Sequence, residues 1–195
     1  IPCGECPAEN ASKILGQWKD TGSLQRDSDA AIYLYYQYFR LPGDPSRYCR
    51  KGFICKIRLY DWEQNVILRH ENTMPRSVDE QVALLAATRL NASPTHGLYS
   101  DETFEIEKFM DESMQCPICE TEDYQGTRNV MGAIRNPQTI KRLVDIMKEK
   151  QVILADGHHR YTGSLAYMKQ QMSANPNHTG NESYNYHLMW LTNTE

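Results

Sequence analysis

The chain has 195 residues, 40% hydrophobic and 24% charged, a balance that suits one globular domain and excludes a disordered segment. Its formal net charge of -4 and pI near 5.9 argue against a duplex nucleic-acid binder, which usually carries a basic excess. No apolar run reaches membrane-spanning length and no signal peptide opens the chain, so a cytoplasmic protein with no membrane attachment is expected.

Residues 1–9 read as an irregular tail, and 10–195 as a single α+β domain. The chain starts at Ile1, not Met, and stops at Glu195 straight after the strand-like "YHLMWLTNTE", so a fragment truncated at both ends is expected. Asn10 is placed to cap a helix through Trp18, with Gly22 as its stop. "AAIYLYYQYF" (30–39) is aromatic and branched on both faces; it predicts a central strand and sheet core rather than a base-stacking platform. "LPGDPSR" is a loop. "KGFICKIRLYDW" (51–62) alternates, with Phe53, Cys55, Ile57 and Leu59 on one face, so the two strands predict a hairpin.

"VILRHENT" (66–73) predicts a short strand running into a polar turn. Ser77, with Glu80 three residues on, predicts the capping box of a helix to about Leu90, its buried stripe being Val82, Leu85 and Ala86. "THGLYS" reads as a short strand, 103–113 fits either helix or strand, and 115–127 reads as a loop. "NVMGAI" predicts a strand. Pro137 opens a helix in which Ile140, Leu143, Val144 and Met147 recur at helical spacing. "QVILADG" is a short apolar strand, followed by a helix from His158 to about Ser173 with Tyr161, Leu165 and Met168 inward. A loop, "SANPNHTGNES", leads to a last strand, "YNYHLMWLT". These elements predict an α+β fold: a mixed or mostly antiparallel sheet with helices packed on it.

The strongest chemical signal is the strand–"DGHHR"–helix element. Gly157 permits a tight turn and close approach to a ligand. The first amides of the following helix have no intrahelical partner, and the helix dipole favours an anion there. Arg160 adds a planar fork matched to phosphate oxygens. Asp156 repels a bare phosphate, which leaves it three roles: binding a metal such as Mg²⁺, orienting a histidine, or capping the helix. His158 and His159 stand where the dipole disfavours imidazolium; a neutral ring there accepts a proton or donates one hydrogen bond to a phosphate. In the bland alternative, Asp156 merely caps and both histidines are solvated.

"RHENT" supplies His70, a possible proton shuttle, and Glu71, a general base or metal ligand. Adjacent residues on a strand point to opposite faces, so only one of the two is expected in any one pocket. Lys56 and Arg58 share a strand face able to meet a phosphate tail, although a solvated edge-strand face is the commoner explanation. Ser93 and His96 are neighbours in "SPTHGLY", but no nucleophile elbow surrounds the serine and an acyl-transfer site is discounted. Asp111, Glu112, Glu120, Glu122 and Asp123 read mostly as loop charge, with metal binding the minor alternative. Cys3, Cys6, Cys116 and Cys119 form two CxxC pairs able to hold tetrahedral zinc; the gap between the pairs far exceeds that of a compact ribbon, so zinc is not the expected reading. Four N-x-S/T triplets, at Asn10, Asn91, Asn177 and Asn181, read as chance.

Together "GFICKIRLYDW", "ILRHENTMPRSVDEQ", "SPTHGLY" and "ILADGHHRYTGSLAY" resemble the bacterial domain-of-unknown-function family 1015, from about Ala11 to the C-terminus. Members of that family are longer at both ends. The CxxC pairs depart from its pattern and look incidental. The strand–Gly-x-x-Arg–helix element is also similar to the nucleotide motif of the ParB/sulfiredoxin superfamily, whose members include CTP-binding partition proteins, ATP-using sulfiredoxins and free-serine kinases. The resemblance implies a phosphate-binding role for Gly157, His158, His159 and Arg160 and is nearest the free-serine-kinase version. Sulfiredoxin chemistry needs a cysteine inside the turn, where this chain has His158 and His159, so that activity is rejected.

Three readings follow. The first is a nucleotide-dependent phosphotransferase, using ATP, ADP or CTP with Mg²⁺ on a small hydroxyl-bearing substrate. Arg160 and the helix amides hold phosphates, Asp156 holds the metal or positions a histidine, and Glu71 or His159 takes the hydroxyl proton. The second is a nucleotide-sensing module without turnover. The third is a zinc-stapled structural domain.

Overall fold

In the computed structural model, which describes residues 6–195, helices and strands alternate irregularly around one eight-stranded sheet. The elements are α1 (Pro7–Asp20), β1 (Ile32–Phe39), β2 (Tyr48–Arg58), β3 (Ile67–Leu68), α2 (Pro75–Thr88), β4 (Thr95–Tyr99), α3 (Glu105–Ser113), β5 (Cys119–Glu122), β6 (Arg128–Ile134), α4 (Pro137–Met147), β7 (Val152–Asp156), α5 (His158–Ala174) and β8 (Tyr186–Asn193). The strand order is β3-β7-β4-β8-β2-β1-β6-β5. Two pairs are parallel, β3 with β7 and β4 with β8, and the rest are antiparallel. The fold is therefore α+β with a mixed sheet, and β1–β2 form the expected hairpin with β1 interior to the sheet. Among the described residues no helix is long and apolar enough to cross a membrane.

The strand registers align one buried row across the sheet: Gly132, Leu34, Phe53, Leu191, Gly97 and Leu154 lie opposite one another in turn. Tyr161 and Leu165 of α5, Ile106 and Met110 of α3 and Leu143 of α4 belong to the same core. The other sheet face carries half-buried aromatic groups. Trp190 meets Tyr35 edge-on at 5.5 Å and stacks on His96 at 4.4 Å. Two glycines make this packing possible. A Cβ on Gly52 would stand 2.2 Å from Trp190 Nε1, and one on Gly97 would stand 2.6 Å from both Met189 Sδ and Val152 Cγ1.

Prolines start three helices. Pro7, Pro75 and Pro137 each stand at the first turn, where a missing N–H costs nothing and the fixed φ suits the helix. This corrects two expected boundaries. Helix α1 begins at Pro7, so Asn10 lies inside it and residues 7–9 are not tail. Helix α2 begins two residues before Ser77; no side chain caps it, and the Ser77–Glu80 capping box is absent. Of its expected stripe, Val82 and Leu85 are half-buried but Ala86 is exposed. Val144 of α4 is exposed as well, while Leu143 is buried. The segment 103–113 resolves as helix α3.

Residues 115–127 are not all loop. They contain β5, which forms a hairpin with β6 across a turn that Asp123 closes by accepting from the Gln125 and Thr127 amides, with Gly126 at φ +78°. All four residues of β5 are exposed, so no apolar alternation marked it. Several acidic residues are structural rather than free loop charge. Asp111 accepts from Tyr36 Oη and Lys51 Nζ, each at 2.8 Å, tying α3 to the hairpin. Glu120 pairs with Arg128 at 2.5 Å.

Gly97→Ala is expected to destabilise the chain by about 1–3 kcal/mol, because the added methyl overpacks a dense row. Urea unfolding followed by circular dichroism measures it; a change below about 0.5 kcal/mol would show that Met189 and Val152 yield freely.

Candidate functional site

Strands β3 and β7 run parallel and adjacent, with Ile67 opposite Val152 and Leu68 opposite Ile153. Both chains therefore leave the sheet at the same end, and their exits, 69–74 and 156–160, face one another. β4 is antiparallel to β7, so the residues just before it, Ser93 and Pro94, reach that end too. Three connections thus meet near the N-terminus of α5, and two of them, with the start of α2, border an open cleft of about 370 Å³. It is lined by Glu71, Ser77, Glu80, Gln81 and the run Asp156–Arg160.

Gly157 makes the turn from β7 into α5. Its φ is +93°, and a Cβ there would stand 2.6 Å from Thr95 Cγ2 and 2.9 Å from Arg160 Nη2. Only glycine fits on both counts. The first rung of α5 is Tyr161 N–H donating to Gly157 O at 3.0 Å, so the amides of His158, His159 and Arg160 precede the helical ladder.

Arg160 is held at three points. Nη2 donates to Asp156 Oδ2 at 2.6 Å; Nη1 donates to Ser93 Oγ at 3.0 Å and to the carbonyl of Pro94. Asp156 does not cap the helix through its side chain. His159 Nε2 accepts from the Met74 amide at 3.1 Å, which fixes its neutral tautomer with the proton on Nδ1. His159 is half-buried, and its Nε2 is taken by this amide.

The pair His70 and Glu71 overturns a specific expectation. β3 stops at Leu68, and 69–74 leave strand geometry. The opposite-faces rule therefore lapses, and both side chains come to His158. Glu71 Oε1 lies 3.1 Å from His158 Nδ1. The His70 ring meets the His158 ring edge-on with centroids 4.5 Å apart. His158 is only 2% exposed, against 51% for the Glu71 side chain, and its Nε2 has no hydrogen-bond partner. Burial pushes the His158 pKa below the ordinary imidazole range, opposed by the Glu71 charge. Among the described residues, this trio is the one group of His, Cys, Asp and Glu close enough to share an ion, its ligand atoms lying within 4.8 Å of one another.

The remaining candidates lie elsewhere. Lys56 Nζ stands 4.4 Å over the Tyr186 ring, and neither Lys56 nor Arg58 lines the cleft. His96 packs on Trp190 and shares a 2.9 Å hydrogen bond with Thr192 Oγ1. Cys6, Cys116 and Cys119 are exposed thiols outside any such ligand group, and Cys3 lies outside the described residues.

Ser77, Glu80 and Gln81 from α2 and the Ser93 anchor were not singled out for this cleft, because nothing local to them signals it. Nor was the support beneath. His187, 1% exposed, bridges Thr95 Oγ1 at 3.1 Å and Ser164 Oγ at 2.8 Å, joining β4, β8 and α5 under the turn. Gly163 brings α5 against α2, since a Cβ there would stand 2.6 Å from Gln81 Cβ.

A protein-family model described as "Protein of unknown function (DUF1015)" matches residues 4–195. No curated protein and no solved structure matches the chain.

Burial, with a smaller contribution from the Arg160 charge, pushes His187 down to about 4. A histidine whose folded pKa is depressed binds its proton more readily when unfolded, so stability falls as pH drops from 6.5 toward 4. The full effect is on the order of 3 kcal/mol. His187→Gln, which stays neutral, should show a shallower loss of unfolding free energy over that window. An unchanged slope would place the acid sensitivity in other groups.

Proposed function

The chain belongs to the family described as Protein of unknown function (DUF1015), and we propose that it binds a nucleotide at the α5 N-terminus and transfers a phosphoryl group to a small hydroxyl-bearing substrate. The observation that carries this reading is the convergence, on one open cleft, of the Gly157 turn, the unladdered amides of α5, Arg160 and the Glu71–His158 pair, with His70 against the His158 ring. Amides and a guanidinium bind phosphate; carboxylates and imidazoles bind the accompanying cation or handle a hydroxyl proton. The resemblance of Gly157–Arg160 to the ParB/sulfiredoxin turn supports the same reading.

Charge sets the form of the ligand. Glu71, Glu80 and Asp156 line the cleft against Arg160, so a bare polyphosphate meets net repulsion while its divalent-cation complex does not. Mg²⁺ suits Asp156, a carboxylate able to bind one face of a hydrated ion while phosphate oxygens take another. The remaining His159 Nδ1–H is a donor suited to a phosphate oxygen. Lys56 and Arg58 have no part in this reading.

A second reading, nucleotide sensing without turnover, is favoured by the ties on Arg160. Phosphate must displace Asp156 from the guanidinium, and breaking a contact that joins β7, the 93–94 segment and α5 alters all three at once.

With Mg²⁺, one of ATP, ADP or CTP at 100 times its dissociation constant should stabilise the wild type by about 2.7 kcal/mol, read as a thermal shift of several degrees. Arg160→Ala, checked for retained circular dichroism, should lose the shift. Consumption of bound nucleotide on adding small hydroxyl compounds separates the kinase from the sensor. No shift with any of the three nucleotides defeats both.

A further inference from the structure

We propose that His70, Glu71 and His158 coordinate a divalent transition-metal ion of the zinc, manganese or iron class. The trio adjoins the phosphate-binding turn, and its metal binding does not depend on that reading, since phosphate is held by the α5 amides and Arg160 and the ion by none of these.

The ligand set is two imidazoles and a carboxylate. That mixture suits first-row transition ions, whereas Mg²⁺ prefers oxygen ligands throughout. The spacing fits as well. Such ions hold nitrogen and oxygen at about 2.0–2.2 Å, which places neighbouring ligands on a tetrahedron or octahedron roughly 2.9–3.5 Å apart. Glu71 Oε1 and His158 Nδ1 are 3.1 Å apart, and the ligand atoms of all three residues lie within 4.8 Å, so His70 needs only a small movement to complete the set.

Rigidity is unevenly distributed in a useful way. His158 is fixed by burial at the first position of a long helix, while His70 and Glu71 are exposed on an irregular segment able to adjust. One anchored ligand and two adjustable ones allow closure around an ion without disturbing the core. A hydrogen bond alone accounts for Glu71 against His158, but it does not account for the His70 ring edge-on to the same imidazole.

Three protein ligands leave at least one coordination position for water or a substrate oxygen. The ion would then be a Lewis acid beside the α5 amides, and a hydroxyl bound to it would lose its proton more easily. In that role Glu71 is a ligand, not a free general base.

The test is a titration of chelator-treated, nucleotide-free protein with Co²⁺, read by visible ligand-field bands, and with Zn²⁺ by competition. The wild type should bind one equivalent. His70→Ala and Glu71→Gln, both at exposed positions that leave the fold intact, should each weaken binding by about tenfold or more. The double variant Cys116→Ser/Cys119→Ser should bind as the wild type does. Absence of bands in the wild type overturns the proposal. So does unchanged affinity in His70→Ala and Glu71→Gln, or loss of binding in the cysteine variant, which would assign the ion to thiolates. Failure of this titration leaves nucleotide binding untouched, and failure of nucleotide binding leaves this site untouched.

Discussion

The short parallel pairing of β3 with β7 sets the geometry of the candidate site. It rests on two residue pairs, Ile67 with Val152 and Leu68 with Ile153, yet it decides which connections meet. Parallel neighbours release their chains at a common end, and in α/β proteins that end is where ligands collect. Here it brings a histidine–glutamate segment from the first half of the chain to a helix N-terminus in the second. An antiparallel pairing of the same strands would have sent the two segments to opposite ends of the sheet.

Gly157 converts that meeting into a usable surface. The left-handed turn swings α5 away within one residue of the strand, so the first amides of α5 and the His158 side chain arrive together. Support then comes in layers. Arg160 ties the turn to Ser93 and Pro94, and His187 ties the strands below it to α5 through Thr95 and Ser164. Tyr161 fills the space between, meeting the His187 ring edge-on at 5.4 Å and donating to the Tyr60 carbonyl at 2.9 Å. Both ring nitrogens of the buried His187 are bonded in this layer, which offsets the cost of placing a polar side chain under an apolar sheet.

Most strands and helices were legible because their residues repeat at 2 or 3.6 positions and end at glycine or proline. β2, β6, α4 and β7 carry one or both of these marks, and β1 and β8 were legible instead from their dense aromatic and branched residues. The misses have particular causes. β5 is exposed throughout, so nothing apolar alternates. Pro7 and Pro75 start helices by the same rule that placed the start of α4 at Pro137, but polar residues nearby, Asn10 and Ser77, offered more familiar caps. The "DGHHR" stretch was visible as a site because strand, glycine and helix are contiguous. The arrival of His70 and Glu71 at one ring was not, since it depends on where β3 ends and on what it pairs with. Neither is written in the local sequence. Alternation, correct for a strand, gave the wrong geometry two residues beyond the strand's end.

The two ends of the sheet order are its weakest strands. β3 has two residues, and β5 has four exposed ones, two of them glutamates. Long, flat, apolar edges recruit strands from other molecules; short or charged edges do not. A β-sheet eight strands wide would otherwise be an open template on both sides. These borders end the ladder, so further copies of the chain find no continuous row of peptide groups to join. Growth into fibrils through the native sheet is disfavoured at both margins, by brevity at one and by charge at the other.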